Sequence, residues 1–433
     1  MSLSVVQRSD DNYRRDSFKD RVCDDLCEVL LQFLPIEDKL KFECISKQFQ
    51  RNVFQRQYHL NVTSIMNGRK TSSFPQVIEK LMKKLPNIKS FEYNKRLEAI
   101  DDSDIDIIVK HFHKLTKIDM NCDWSQISAE KRESFAAKYG EKLVSITTGK
   151  VDFEWFREAF PKLSELNLRG FAVNGQQLST IRLNNLKKLK IPLSDSYISE
   201  TPPEIFETNF KQFIENNKRL THLKIYLFPK NQNILNTAFK HMTKLDQLVY
   251  LNIGGFGDNQ DINTTINGLR QMSDKCLKIK SLLNVNNPIK TSALFLSFMT
   301  EVKKFKALER LEFGLRLQKN SELNQFMENF NGLQSLTHLS INFWNKNPIQ
   351  MDLIKDIDKS FPKLRVLRII SNYYPIEVSQ QSIDSLGRLS RLESLEINVN
   401  NESIRHIIID KIEKNCKKIK SIDIPINVDL LSS

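Results

Sequence analysis

The side chains able to catalyse reactions are scattered along this sequence and match none of the spacings that catalysis uses. The seven histidines, at 59, 111, 113, 222, 241, 338 and 406, form no HExxH pair for a metal. The pair at 111 and 113 would share a side only in a strand, and we expect a helix end there. The stretch GGFGDNQ at 254–260 lacks the third glycine of GxGxxG, and GxxxxGKS/T and GxSxG do not occur. The sequence therefore predicts no catalytic residues, no metal, no cofactor and no enzymatic activity.

The cysteines and the charges narrow the class of protein further. Six cysteines form no CxxC pair and no regular frame, which is typical of reduced thiols in the cytosol or nucleus. The formal net charge is +13, but the lysine doublets are spread along the chain instead of forming a phosphate-binding track. The N-terminus has no apolar core for export, and no apolar run approaches the ~18 residues of a membrane span. We expect a cytoplasmic or nuclear protein without membrane contact, for which nucleic acid is a poor partner.

Recognition of another protein is the chemistry that remains, and it needs polar and aromatic side chains gathered on one surface. Such side chains alternate with leucine or isoleucine in several short segments. The substrate-binding candidates are His222, Lys224, Tyr226, Tyr250, Arg310, His338, Arg368 and Tyr373. A mixed surface that includes aromatic rings suits a protein ligand better than a nucleic-acid backbone.

The segments that hold these candidates follow one template, Leu-x-x-Leu-x-Leu, with Ile or Phe allowed at each apolar position. PKLSELNL at 161–168 and KALERLEF at 306–313 are two of thirteen copies, some of them looser, between residues 85 and 424. The last two apolar residues alternate with polar ones, which is the period of a half-buried strand. Each copy therefore predicts a short strand whose polar positions face away from the core.

The spacing of the copies predicts how the strands are arranged. The step is 28 residues three times in succession from Leu308 to Leu392, which accommodates a strand and a returning helix. Such a unit cannot bury its apolar side alone, so neighbouring units must share a core. The pattern resembles the leucine-rich repeat family over about residues 74–427. It predicts an α/β solenoid, a horseshoe of about 13 repeats with parallel strands on its concave side.

The segments between the copies predict the helices. Apolar stripes favour helices at 351–361 and 402–416, and the 20-residue step from Leu143 to Leu163 leaves room for a short one near 153–160. In the repeat family an inward Asn or Cys follows each strand, three positions after the last apolar residue. That position holds Phe171, Phe228, Phe256, Trp344, Asn372, Asn400 and Asn427. Tyr226, Tyr373 and Tyr374 fall outside this register and are expected at the surface.

Residues 17–58 differ in kind from the repeats. Leu26, Val29, Leu30, Phe33 and Leu34 form one helical face, and Pro35 marks its end. Two more short helices are predicted over 36–46 and 46–56, with Val53 facing inward. Three short helices make a poor core, so some apolar residues of this module should contact another surface.

This order of residues resembles the F-box. The first helix ends at Leu34-Pro35, the second has an acidic start, and FECISKQFQRNVF follows at 42–54. The family usually opens with Leu-Pro, where this chain has Val22-Cys23. The adaptor-binding candidates are Leu26, Val29, Leu30, Leu34, Pro35, Leu40 and Ile45. The alternative is an ordinary helical cap, which any solenoid needs on its open edge.

The resemblance implies a substrate-recognition subunit of an SCF-type ubiquitin ligase. The F-box would bind a Skp-type adaptor and, through it, a cullin, and the repeats would hold a protein substrate. The chain would be a monomer within that hetero-complex. The alternatives are a leucine-rich repeat scaffold without a ligase role, and a basic solenoid that associates with nucleic acid.

The expected organisation has four parts. A flexible tail occupies 1–16, the F-box-like helical module 17–58, a linker 59–73 and the leucine-rich repeat domain 74–433.

Overall fold

A computed structural model describes most of the chain. The described residues are 29, 34–41, 47–67, 74–93, 100–169, 172–193, 201–227, 232–254, 262–316, 330–344, 349–351, 354–374, 376–399 and 401–425. The chain divides between residues 169 and 172 into two compact units, which are described in turn.

The first unit combines an N-terminal helical part with a parallel sheet. Its helices are α1 (Ile36–Lys41), α2 (Lys47–Arg56), α3 (Val62–Asn67), α4 (Phe74–Met82), α5 (Asp102–His111), α6 (Ala129–Tyr139) and α7 (Phe153–Ala159). Its strands are β1 (His59–Asn61), β2 (Ser90–Tyr93), β3 (Lys117–Met120), β4 (Ser145–Thr148) and β5 (Glu165–Leu168). Each strand pairs in parallel with the next along the chain.

The sheet of the first unit is held by apolar residues at matching positions. Phe91, Ile118, Ile146 and Leu166 pair in register from β2 to β5, and each is at most 2% exposed. The helix α5 ends at His111, and the buried Phe112 follows it. The predicted helix end at this histidine pair is therefore confirmed.

The second unit has a longer sheet of the same kind. Its main sheet holds β6 (Lys188–Pro192), β7 (His222–Tyr226), β8 (Tyr250–Gly254), β9 (Ser281–Ile289), β10 (Arg310–Leu315), β11 (His338–Phe343), β13 (Val366–Ser371), β15 (Ser394–Ile397) and β16 (Ser421–Asp423), in that order. Two short strands, β12 (Ile349–Met351) and β14 (Ile376–Val378), pair with each other. The helices are α8 (Gly175–Thr180), α9 (Pro203–Asn216), α10 (Gln232–Met242), α11 (Ile262–Ser273), α12 (Ser292–Val302), α13 (Ile357–Ser360), α14 (Gln380–Gly387) and α15 (Glu402–Asn415).

All thirteen copies of the template contain a parallel strand, so the predicted leucine-rich repeat fold is confirmed. Leu311, Leu339, Leu367 and Leu395 lie side by side from β10 to β15 and are at most 1% exposed. They form the shared core that a single repeat cannot make. The short helix near 153–160 and the helix at 402–416 are found as α7 and α15.

Within the segment expected as a linker, His59–Asn61 forms β1 and pairs with β2. The structure differs from the sequence expectations at two places. Met351, expected to begin a helix, ends β12 instead, because residues 349–351 pair with β14, and the helix is only Ile357–Ser360. At the two described positions of the expected set, the residue three positions past the template is not the inward one. Trp344 is half-buried and Asn372 is exposed, whereas Phe343 is fully buried.

In four repeats the inward position lies two residues past the template because the chain continues the alternation of the strand, within it or just after its end. Leu227, Leu315, Phe343 and Val399 occupy it and are fully buried. The expectations for Phe171, Phe228, Phe256, Asn400 and Asn427 fall outside the described residues.

Gly268 in α11 provides a test of how tightly the helices pack on one another. A Cβ at this position would lie 2.2 Å from the Phe239 ring of α10. Alanine in a helix normally gains about 1 kcal/mol over glycine, but overpacking costs about 1–3 kcal/mol. We expect Gly268→Ala to lower the free energy of unfolding in denaturant titrations, while Gln271→Ala, at an exposed position of the same helix, leaves it unchanged or raises it. Stabilisation by Gly268→Ala would contradict this packing.

His241 makes the stability of the second unit depend on pH. Its side chain is 4% exposed, and its Nε2 lies 3.3 Å from Oε1 of Glu207. Burial lowers the pKa of His241, assisted by Lys240 and Lys244, although Glu207 opposes the shift. The imidazole therefore binds a proton more readily in the unfolded chain than in the folded one. The contribution of neutral His241 to the free energy of unfolding is complete above about pH 6.5 and is lost as the pH falls below that value.

As the pH is lowered from 7.5 to 5, we expect the melting temperature to fall more steeply for the wild type than for His241→Gln. His406→Gln, which removes an exposed histidine, is the control and should follow wild type. Parallel curves for wild type and His241→Gln would contradict the assignment.

Candidate binding surface

The polar positions of the strands in the second unit line up in rows across the sheet. Leu223 and Ile225 of β7 are buried, and the residues between and beside them lie on the opposite face. The strand register defines a central row, which is Lys190, Lys224, Asn252, Leu283, Glu312, Ser340, Arg368, Glu396 and Asp423. A first row lies beside it and runs Lys188, His222, Tyr250, Ser281, Arg310, His338, Val366, Ser394 and Ser421. We call this face the polar face of the second unit.

One end of the polar face is basic and aromatic. Lys190 and Lys224 are paired directly across β6 and β7. Their Nζ atoms lie 6.0 and 5.2 Å from the ring centroid of Tyr226, within the range of a cation–π interaction. His222 stacks on Tyr250 of the next strand, with ring centroids 5.6 Å apart. Four predicted substrate-binding residues (His222, Lys224, Tyr226 and Tyr250) are therefore neighbours on two strands.

The other end of the central row is mixed in charge. Arg368 Nε donates to Oε2 of Glu396 at 2.6 Å and its Nη2 to Oε1 at 3.3 Å. This hydrogen bonding raises the pKa of Arg368. Glu312 and Asp423 add two further carboxylates to the row. This end therefore presents more acid than base.

The remaining predicted residues occupy separate positions. Arg310 and His338 are neighbours in the first row, and burial lowers the pKa of His338, with Arg310 and Arg365 adding to the effect. Tyr373 lies beyond the end of β13 and is 53% exposed. It is at the surface, as its register suggested, but it does not belong to the rows.

Several small polar residues expected to face outward are nearly buried. Asn252, Ser340, Asn342 and Asn398 are 5–9% exposed. Ser340 lies between Glu312 and Arg368 in the central row, which both have longer side chains. The accessible part of the polar face is formed by its long side chains.

Sequence reasoning missed Lys188 and Lys190 as binding candidates. They occupy the polar positions of the template copy at Leu186, Leu189 and Ile191, which was recognised as a strand. The sequence contained a signal for Lys190. Lys190 and Lys224 are 34 residues apart, which equals the step between their two template copies, so both lysines occupy the same position of the template.

A cleft of about 540 Å³ lies near the starts of β6 and β7 and is a weaker candidate. Arg182, Lys218, Arg219 and Glu215 line it together with Asn217. Asn217 is buried, and its Nδ2 donates to the carbonyl oxygens of Ile181 and Phe213 at 2.7 and 2.8 Å. The amide nitrogen of Asn217 therefore joins α9 to the preceding segment, and the cleft is a gap between turns.

The N-terminal helices contact the array through α2. Val53 is 2% exposed, and Asn87 Nδ2 donates to the carbonyl oxygen of Gln55 at 2.8 Å. Elsewhere in the module Val29 is 47% exposed and Pro35 is also exposed. Leu34 and Leu40 are half-buried, and Leu26, Leu30 and Ile45 lie outside the described residues.

The described residues offer no place for a metal and no membrane span. They contain no group of three or more His, Cys, Asp or Glu side chains that could hold a metal ion. In the same part of the chain no helix has the length and apolarity needed to cross a bilayer. Cys122, Cys276 and Cys416 are buried free thiols.

Comparison with known proteins shows the fold. No family model matches the chain, and no curated protein does. Among solved structures, Rad7 in the yeast Rad7–Elc1 complex is 14% identical, with a TM-score of 0.50, over 93% of this chain and 92% of that one. The leucine-rich repeat-containing protein LegL7 from Legionella pneumophila is 13% identical with a TM-score of 0.40, over 73% and 90% of the two chains.

Proposed function

We propose that this protein is the substrate-recognition subunit of an SCF-type ubiquitin ligase. The helical module binds a Skp-type adaptor that is joined to a cullin, and the polar face of the second unit binds the protein substrate. The chain itself makes and breaks no bonds. It raises the effective concentration of substrate lysines near a ubiquitin-carrying enzyme.

The observation that carries this proposal is that the N-terminal module has apolar residues left exposed as well as a buried one. Val53 of α2 is buried and Gln55 of α2 accepts a hydrogen bond from Asn87, while Val29 and Pro35 remain exposed. A simple cap would need only the buried contact. Exposed apolar side chains suit the helices of a second protein.

The comparison with Rad7 agrees with a role in a protein complex. Rad7 resembles this chain over nearly its full length and was crystallised with a partner, Elc1. By analogy, this chain is proposed to work within a hetero-complex. The Skp-type adaptor and the cullin rest on the F-box resemblance of residues 17–58.

Retrieval of the adaptor is the test. The tagged full-length protein is expressed in cells of the organism it comes from, and the proteins that co-precipitate with it are identified by mass spectrometry. Recovery of a Skp-type adaptor and a cullin supports the proposal. Recovery of neither, from a protein whose circular dichroism shows it folded, would establish the alternative of a scaffold with a helical cap.

The central row argues against the nucleic-acid alternative. Glu312, Glu396 and Asp423 lie in the same row as Lys190 and Lys224. A phosphate backbone that followed this row would meet carboxylates after the first strands. Real phosphate contacts would also give a steep dependence of affinity on salt, which we do not expect here.

A further inference from the structure

The basic end of the polar face holds a pair of like charges without a counterion among the described residues. Lys190 and Lys224 occupy directly opposite positions on β6 and β7, and strands lie about 4.8 Å apart. Like charges opposite each other destabilise a sheet. Both Nζ atoms lie near one ring, that of Tyr226.

The surrounding positions strengthen the imbalance. The polar-face residues of β6, β7 and β8 are Lys188, Lys190, Pro192, His222, Lys224, Tyr226, Tyr250, Asn252 and Gly254. None of these nine residues is acidic. The far end of the same row, in contrast, pairs Arg368 with Glu396 internally. Lys190 and Lys224 are therefore the cations of the central row that have no carboxylate partner among the described residues, and an outside group can supply one.

We propose that the basic end binds an extended protein segment rich in aspartate and glutamate and not phosphorylated. Its carboxylates would accept hydrogen bonds from Nζ of Lys190 and Lys224, while the Tyr226 ring holds both ammonium groups in place. His222 and Tyr250 supply a flat stacked surface beside them for the rest of the segment.

The use of lysine favours a segment whose negative charge is spread over several side chains. An ammonium group acts as a point charge and lacks the planar fork with which arginine holds one anionic group by two hydrogen bonds. The polar-face positions of β6–β8 hold three lysines and no arginine. A nucleic acid is disfavoured because the row turns acidic from Glu312 onward.

This inference rests on the proposed function in one respect, which is that the bound segment belongs to the ligase substrate. The binding itself does not need the adaptor. Adaptor retrieval and segment binding are therefore separate measurements, and either can fail while the other succeeds.

The test is fluorescence anisotropy with the full-length protein at low salt. The probe is a labelled 12-residue peptide of alternating Glu and Ser. The comparison ligands are the corresponding Gln–Ser peptide, a Gln–phosphoserine peptide and a 12-nucleotide thymidine strand. The variant is Lys190→Gln with Lys224→Gln, and the control is Lys417→Gln with Lys418→Gln, which changes the net charge equally at two exposed positions.

We expect the Glu–Ser peptide to bind at least about tenfold more tightly than the Gln–Ser peptide. The Lys190/Lys224 variant should weaken this binding about tenfold, and the Lys417/Lys418 control should not. Equal losses in the two variants, or no binding of the Glu–Ser peptide at about millimolar concentration, would overturn the proposal. So would tighter, lysine-dependent binding of the phosphopeptide or the thymidine strand.

Discussion

Leu339→Asp is expected to unfold the repeats around β11. Leu339 is 1% exposed and lies between Leu311 and Leu367 in the buried row of the sheet. An aspartate there would either bury an unpaired carboxylate or force the strand apart. Either outcome costs several kcal/mol, at the upper end of single-substitution effects. Because adjacent repeats share the core, the damage should reach both neighbours.

Limited proteolysis followed by mass spectrometry measures this effect. New cleavage sites should appear between β10 and β13, and the unfolding midpoint in urea should fall. Gln334→Asp is the matched control, since it adds the same charge at an exposed turn position just before the same strand. Wild-type resistance in Leu339→Asp would mean that this residue is not part of a shared core.

The strands could be predicted from sequence because each one obeys the same local rule. Leu311, Leu339 and Leu367 are spaced by 28 residues, and a solenoid converts equal spacing into side-by-side contact. The pairing of Leu311 with Leu339 and of Leu339 with Leu367 follows directly. The helices are less constrained by a fixed pattern, and their ends were placed less accurately.

Features that depend on how far a strand extends were not predictable from the template alone. The template ends at Ile341, but β11 continues to Phe343, which moves the inward position from Trp344 to Phe343. The pairing of β12 with β14 likewise joins two segments, Ile349–Met351 and Ile376–Val378, that match no copy of the template. Their register is set by neighbouring repeats and not by local sequence.

The binding candidates were predicted as types of residue but not as a charge pattern. Lys224 and Arg368 were both identified, yet only the strand pairing shows that Lys224 faces Lys190 while Arg368 faces Glu396. An arginine with a bidentate carboxylate partner is already satisfied. Two opposed lysines are not, so residues of the same charge have different capacities to bind a ligand.

Adaptor binding should be lost in the double variant Leu30→Ala with Pro35→Ala. Pro35 is exposed, as is Val29 on the preceding segment, and Leu30 belongs to the same predicted apolar face. Loss of apolar anchors at the centre of an interface typically costs about 2–4 kcal/mol, or about thirty- to a thousand-fold in affinity. Neither substitution introduces charge, and the buried Val53 of α2 is untouched.

The matched control is Ile205→Ala with Pro202→Ala, because Ile205 is 52% exposed and Pro202 is exposed at the start of α9. This control removes a similar apolar surface from a helix of the second unit and should retrieve the Skp-type adaptor and cullin as wild type does. The Leu30/Pro35 variant should retrieve neither, with circular dichroism and urea midpoint unchanged. Equal retrieval by all three proteins would show that other residues of the module are the anchors. Reduced retrieval by the control variant alone would place the contact on α9 and not on the module.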